Sequence, residues 1–286
     1  RRAFIKTPVF VAQPNSKNSE TKVSIIIPAR NEAANIERCI QSILANKYPD
    51  NLIEILVVDD HSTDGTAQIA KACSLLVKII TLSNYIKEPI NSYKKIAIET
   101  AVAESTGKLI IGTDADCIVP NSWIQTIVSF YNSNDSVFIA MPVLLSSNNS
   151  FIENFQVVDF MVLQGITVGA VNNNLHPMCN GANLAYTKEA FQAVNGFEGV
   201  ANIASGDDML LMQKIAAAFP GRVHYLKSKE VLVTTPAMPN LKTFLQQRIR
   251  WASKAGFYKD KSLNAVLAIV YVFNLFLLIA PIISIF

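Results

Sequence analysis

Two hydrophobic periods alternate along the first half of the chain. "VSIII" (23–27), "LIEILVV" (52–58), "LLVKIITL" (75–82) and "KLIIG" (108–112) are short runs rich in β-branched residues, the pattern of buried strands. Between the first two, Ile36, Ile40, Ile43 and Leu44 recur at spacings of four, seven and eight, which predicts one face of a helix. Further helices are expected from about Thr66, near 94 to 105 and near 121 to 132. Strands separated by helices make βαβ units and a mostly parallel sheet, so the fold class is α/β. A strand "VFIAMPV" (137–143) and a long apolar segment (151–171) follow, and a second small sheet is expected in this half.

The last 24 positions, "LNAVLAIVYVFNLFLLIAPIISIF" (263–286), carry no charge. As a helix they would extend about 36 Å at ~1.5 Å per residue, enough to cross a hydrocarbon core of roughly 30 Å. Pro281 is tolerated in such a span. Residues 242 to 261 place Lys242, Arg248, Arg250, Lys254, Lys259 and Lys261 against Asp260 alone. That excess predicts a cytoplasmic flank. The chain is therefore divided into an N-terminal juxtamembrane segment or linker (1–21), two halves of one domain (22–118 and 119–256) and a membrane segment (257–286). It begins with Arg1 rather than Met and is expected to be part of something longer.

Composition narrows the function classes. Half the residues are hydrophobic, 16% are charged and the net charge is +3, with no interleaved basic and aromatic patch of a nucleic-acid binder. Cys39, Cys73, Cys117 and Cys179 are scattered without a CxxC pair and are expected to be reduced, as suits a cytoplasmic domain. His61, His176 and His224 lie far apart, which argues against a zinc site.

The candidate chemistry sits where the strands end. Parallel sheets bind ligands outside the carboxyl ends of their strands. "TDADC" puts Asp114 and Asp116 just beyond the fourth strand, and "VVDDHSTDGT" puts Asp59 and Asp60 beyond the second. A D-x-D pair on a loop suits Mg²⁺, which takes one or two carboxylates plus phosphate oxygens, although such residues also make turns and caps. Asp207 and Asp208 in "SGDDMLLMQKI" stand ahead of a helix, either as caps or with one of them as a general base. Arg248, Arg250 and Trp251 in "QQRIRW" fit a membrane interface, or a diphosphate and a sugar face. Lys94 and Lys95 add a candidate phosphate contact.

The order of these pieces, "VSIIIPARNEAANI", "VVDDHSTDGT", "TDADC", "CNGANLAYTKEAF", "GDDMLL" and "QRIRW", resembles the inverting, nucleotide-sugar-dependent glycosyltransferases of family 2, over about residues 22 to 255. The resemblance implies a GT-A fold, Rossmann-like, and a nucleotide-binding first half with Pro28, Arg30, Glu32 and Ala115 near the nucleotide. It implies that Asp60 accepts from the uracil ring, Lys94 faces phosphate, Asp114 faces ribose and sugar, and Asp116 ligates Mg²⁺ or Mn²⁺. "SYKKIAIET" lacks the family's usual glycine before Lys94. Asn180, Gly181, Ala182 and Asn183 would line the donor sugar, with Asp207 standing where many relatives have Glu. Asp208 matches the general base, and Gln247, Arg248, Arg250 and Trp251 match the diphosphate- and acceptor-holding motif. The second half, with interfacial helices, would take the acceptor.

The activity so implied is a single inverting displacement from a UDP-sugar, or a GDP-sugar on the same framework, to a lipid-linked or polysaccharide acceptor at the cytoplasmic membrane face. Membrane lipids would be partners and nucleic acid would not. A processive polysaccharide synthase of the same fold is the alternative, since the glutamine-arginine-tryptophan motif occurs in such synthases as well as in enzymes that add one sugar to a lipid. The segment 151–171 fits equally a helix on the bilayer surface or a buried one. Other classes fit less well. A receiver domain needs no arginine-tryptophan motif. A nucleotidyltransferase would use a glycine-rich loop after its first strand, yet the first glycine here is Gly65. A non-catalytic nucleotide-binding membrane protein would be expected to lose the acids. The donor sugar, acceptor and oligomeric state are not written in the sequence.

Overall fold

The structure is a computed structural model that describes residues 7–12, 20–85, 93–173, 179–200, 206–252 and some positions between 268 and 280. The strands are β1 (Val23–Ala29), β2 (Ile53–Asp59), β3 (Val77–Thr81), β4 (Leu109–Gly112), β5 (Phe138–Ala140), β6 (Val143–Ser146), β7 (Leu184–Thr187), β8 (Val223–Tyr225) and β9 (Val233–Pro236). The helices are α1 (Ile36–Leu44), α2 (Thr66–Cys73), α3 (Tyr93–Glu104), α4 (Trp123–Ser133), α5 (Phe151–Asn172), α6 (Lys188–Ala193), α7 (Asp207–Ala218) and α8 (Leu241–Ala252).

Seven strands form one sheet in the order β3-β2-β1-β4-β7-β5-β8. β1 pairs in parallel with both β2 and β4, and β2 with β3. Only β7 runs against its neighbours, antiparallel to β4 and β5, while β8 lies parallel to β5. The antiparallel strand joins the halves 22–118 and 119–256 into one continuous sheet. The expected second sheet is the parallel pair β6-β9.

The continuous apolar runs are explained by burial on both faces. Ile25 and Ile27 of β1, Ile55 and Val57 of β2, and Leu109 and Ile111 of β4 enter one core with α1 and Trp123 of α4. The residues between them, Ile26, Leu56, Val58 and Ile110, enter the other, with Ala97 and Ala101 of α3 and Leu211, Met212 and Ile215 of α7. Helices thus cover the sheet above and below, and the strand ends remain for chemistry.

Part of the expected N-terminal linker is packed. Phe10 donates its backbone N–H to the Lys227 carbonyl at 2.8 Å and sets its ring edge-on to Phe130, 5.1 Å between centroids. Lys227 in turn donates to the Thr7 carbonyl at 3.2 Å.

The segment 151–171 is one helix, α5, capped by the Ser150 hydroxyl, which accepts from the Glu153 N–H at 3.2 Å. It is long and apolar enough to cross a membrane, but its polarity is inverted. Glu153, Gln156 and Asp159 are buried, while Phe151, Val158, Met161 and Val162 are exposed. α8 likewise exposes Leu241, Leu245 and Ile249. Most of the expected membrane segment lies outside the described residues, as do Lys254, Lys259, Asp260 and Lys261. Its described positions are helical, and Ile269, Tyr271, Val272, Phe273, Leu275, Phe276 and Ile279 are exposed.

Candidate active site

The loops leaving β1 and β2 are locked together. Asn31 adopts a left-handed backbone (φ 56°), which asparagine tolerates. Its side-chain oxygen accepts from the Thr63 N–H at 2.9 Å, and its own N–H donates to the Ser62 hydroxyl at 3.0 Å. Glu32 and Ala33 donate backbone N–H groups to Thr66 and Asp64, at 2.8 and 3.0 Å. The zipper fixes the Asp60 carboxylate, which meets Arg30 at 3.6 Å and the His61 ring at 2.9 Å. Tyr93, opening α3, sits edge-on to His61 (5.4 Å) and beneath the Arg30 guanidinium (5.9 Å). His61, itself left-handed at φ 57°, and Tyr93 belong to this corner although neither was among the expected site residues.

The next residue along α3, Lys94, is the junction. Its ammonium donates to Asp114 at 2.8 Å and stands 3.7 Å from Asp207. Burial alone would lower the Lys94 ammonium, but Asp114 and Asp207 outweigh it and hold it above the usual lysine range. Acids from the end of β4 and from the start of α7 therefore converge on one cation. Asp208, beside Asp207, accepts from the Gly181 N–H at 2.9 Å and the Met209 N–H at 2.8 Å. Gly181 lies beside both, since a Cβ built there would be in ordinary van der Waals contact, 3.5 Å from the Lys94 nitrogen and 3.6 Å from an Asp207 oxygen. Pro28, Lys94, Thr113, Asp114, Gly181, Asp207 and Asp208 line a common cavity. Its volume, about 30 Å³, holds roughly one or two waters.

The other carboxylates crowd the same place. Burial, then Asp114, raises the Asp116 carboxyl above the usual range, against a hydrogen bond from the Thr235 hydroxyl. Burial also raises Glu32, with Asp116 and Asp114 adding to it and the Asn35 amide, 2.9 Å away, opposing. The Cys39 thiol is pushed up to about 12, by burial first and then Asp116 and Asp114, so it stays protonated beneath the acids. Thr235 is a further residue that was not among the expected ones. β9, which carries it, is bonded to the D-x-D loop on both sides of Ile118, at 2.8 and 3.0 Å to Thr234.

The structure brings together Pro28, Lys94, Asp114, Gly181, Asp207 and Asp208, with Arg30 and Asp60 on the adjoining corner and Glu32 beside the Asp114–Asp116 pair. Ala115, between those acids, is buried. Asn180 turns its amide oxygen to the Ala182 N–H at 2.9 Å, and the Ala182 carbonyl accepts from Thr113 at 3.0 Å.

Two expected site residues stand elsewhere. Asn183 is 0% exposed and serves the core. Its oxygen accepts from the Trp123 indole at 3.0 Å, and its amide donates to the Pro142 and Val231 carbonyls at 2.7 Å each. Arg248 pairs with the buried Asp159 rather than facing the crevice, its guanidinium between the rings of Phe244 (4.9 Å) and Trp251 (4.5 Å). On the same helix Gln247 is half-buried and Arg250 exposed. Trp251 packs near Phe160, 6.3 Å between centroids.

Among the described residues no group of three or more His, Cys, Asp or Glu side chains could by itself enclose a metal ion. Asp114 and Asp116 are two carboxylates, and Mg²⁺ takes one or two carboxylates together with phosphate oxygens and water.

An α/β sheet with one reversed strand and acids at its carboxyl ends is the GT-A type of nucleotide-sugar transferase fold. A mannosyltransferase from Pyrobaculum calidifontis, solved with GDP-Man and Mn²⁺, superposes with a TM-score of 0.61 at 21% identity, covering 88% of this chain and 66% of that one. S. aureus TarS, solved with UDP-GlcNAc, gives 0.58 at 14% identity over 77% of this chain and 59% of its own. The sequence profile of Glycosyl transferase family 2 matches residues 24–194, and the chain belongs to that family. Glycosyltransferase AglE of Haloferax volcanii is 34% identical over 107 residues, 37% of this chain and 34% of that protein. An N-acetylglucosaminyltransferase of Rhizobium meliloti is 24% identical over 258 residues, 87% of this chain and 59% of its own length. The chain thus spans between a third and three fifths of these two relatives.

Proposed function

We propose that this chain is the catalytic part of an inverting glycosyltransferase that moves a sugar from a nucleoside diphosphate to a hydroxyl of a membrane-held acceptor. The observation that carries this is Lys94 bridging Asp114 and Asp207, with Asp208 alongside. It makes one crevice of the nucleotide-side and acceptor-side acids.

Arg30, Asp60 and the neighbouring Tyr93 would hold the base, with the Asp60 carboxylate accepting from a ring N–H once His61 or Arg30 yields an oxygen. Lys94 would turn from Asp114 to a phosphate oxygen. Asp208, its carboxylate oriented by two backbone N–H groups, would take the proton of the acceptor hydroxyl as that oxygen attacks the anomeric carbon. One displacement with no enzyme-bound sugar inverts the anomeric configuration.

Asp114 and Asp116 would hold a divalent cation, and their crowding fits that role, since a cation relieves the repulsion from Asp114 that adds to burial in raising the Asp116 carboxyl. When bound, Mg²⁺ or Mn²⁺ would stabilise the charge of the departing diphosphate. The mannosyltransferase and TarS were solved with a guanine and a uracil nucleotide respectively, so the framework admits both, and UDP is the expectation from the Asp60 corner. The exposed apolar residues of α5 and α8 support a site held against a bilayer and a lipid-linked or growing-glycan acceptor.

The test is a screen of UDP- and GDP-sugars for metal-dependent hydrolysis and transfer. One donor class should be cleaved with Mg²⁺ or Mn²⁺ and spared with a chelator. Absence of cleavage and of nucleotide binding across the panel would end the proposal.

A further inference from the structure

Among the buried polar side chains on the inner face of α5 are Gln156 and Asp159, one turn apart, at 1% and 6% exposure. Both act on the segment that contains α8. Gln156 makes a reciprocal pair with the backbone of Met238, its amide donating to the carbonyl at 2.9 Å and its oxygen accepting from the N–H at 3.0 Å. Asp159 accepts from an Nη of Arg248. The Arg248 guanidinium is flat against its own helix, between Phe244 and Trp251, and Phe244 packs edge-on to Phe155 of α5 at 6.0 Å. The chain from 238 to 251 is thus gripped near both ends by one helix.

A charge pair is a costly way to pack two helices, because removing both ions from water offsets most of their attraction. An apolar pair would pack as well but would leave the rotation of α8 less defined. A guanidinium fork caught between two rings and a carboxylate admits one rotation. α8 also carries Gln247, Arg250 and Trp251.

We infer that Asp159 is a positioning residue. It acts through Arg248, fixing α8 so that Trp251 meets the acceptor over the Asp208 crevice. The inference rests on the glycosyl-transfer reading above.

The experiment uses the full chain and measures acceptor-dependent transfer, donor hydrolysis and UDP affinity in parallel. Asp159→Asn should lower kcat/KM for the acceptor by about ten- to a hundredfold while UDP affinity stays within about twofold. Arg248→Lys should behave alike, and the two losses should not multiply in the double variant. The pair Asp159→Leu with Arg248→Met covers the case in which the single variants fail to fold. It keeps the packing without the ions, and it should fold but still transfer poorly. Wild-type transfer by Asp159→Asn, or by the folded apolar pair, overturns the inference. So does an equal fall of UDP affinity and transfer, which marks a merely structural role. A wild-type chain that neither binds UDP nor cleaves any nucleotide sugar overturns the transfer reading and this inference together.

Discussion

Asp208→Asn separates chemistry from binding within one side chain. The carboxylate accepts two backbone N–H groups, from Gly181 at 2.9 Å and Met209 at 2.8 Å. Asparagine keeps one acceptor oxygen, so its NH₂ must face one of those donors. In a half-buried site that leaves an unpaired N–H, at the lower end of the roughly 1–3 kcal/mol such a loss costs. For a chain of this size about 1 kcal/mol lowers Tm by roughly 2–4 °C. The chemical loss is larger. A positioned general base contributes about 10²- to 10⁴-fold, or roughly 3–5.5 kcal/mol of barrier. The assay pairs product formation at saturating donor with calorimetry of UDP and a thermal melt. Transfer should fall by at least about a hundredfold, with UDP affinity within about threefold and the small Tm loss stated. Transfer at the wild-type rate would show that the base is another group. A matching collapse of UDP affinity would show that Asp208 shapes the pocket instead.

Three further outcomes follow from named contacts. Asn183→Ala removes the partner of the buried Trp123 indole and of the Val231 carbonyl, while the Pro142 carbonyl retains the Val233 N–H at 3.3 Å. Stability in a urea titration should drop by about 3 kcal/mol or more with the donor KM of the folded protein unchanged, and unaltered stability with a raised KM would make Asn183 a sugar contact after all. Lys94→Gln leaves Asp114 and Asp207 facing the donor without their shared cation. Donor KM should rise by about tenfold or more, and an unchanged value would remove Lys94 from phosphate binding. Burial, reinforced by Asp114, raises the Asp116 carboxyl in the folded protein, so the native state holds this proton more tightly than the unfolded chain. Its contribution to stability is therefore largest at low pH and is lost as pH rises from the ordinary aspartate range through the raised value. Asp116→Asn should then stabilise the metal-free protein at neutral pH and flatten that part of its pH profile. A variant less stable than wild type at neutral pH would contradict the crowding of acids.

Much of this was legible in the chain because burial on two faces leaves a simple trace. The runs at 23–27, 52–58 and 108–112 became β1, β2 and β4, and the spacing of Ile36, Ile40 and Ile43 became the inner face of α1. Acids placed just after such strands had to emerge at the crevice, which is where Asp60 and Asp114 stand. What stayed hidden depends on long-range partners. Asn183 lies two residues from Gly181 in the same motif, in the turn before β7, and partners distant in sequence, Trp123, Pro142 and Val231, draw its side chain into the core. Arg248 looked like a ligand contact because a buried acid at 159, 89 residues earlier, has no local signature. Thr235 lies in no motif and His61 was unremarked within one, and the pairing of β9 with the D-x-D loop and the turn after β2 bring them to the acids.

Calorimetry of UDP with and without Mn²⁺, on wild type and Asp116→Ala, tests the central claim most directly. UDP should bind the wild type tightly only with the ion, and the ion should make no difference to the variant. Equal UDP affinity in all four titrations would mean that the acids at the end of β4 do not hold a cation on the diphosphate.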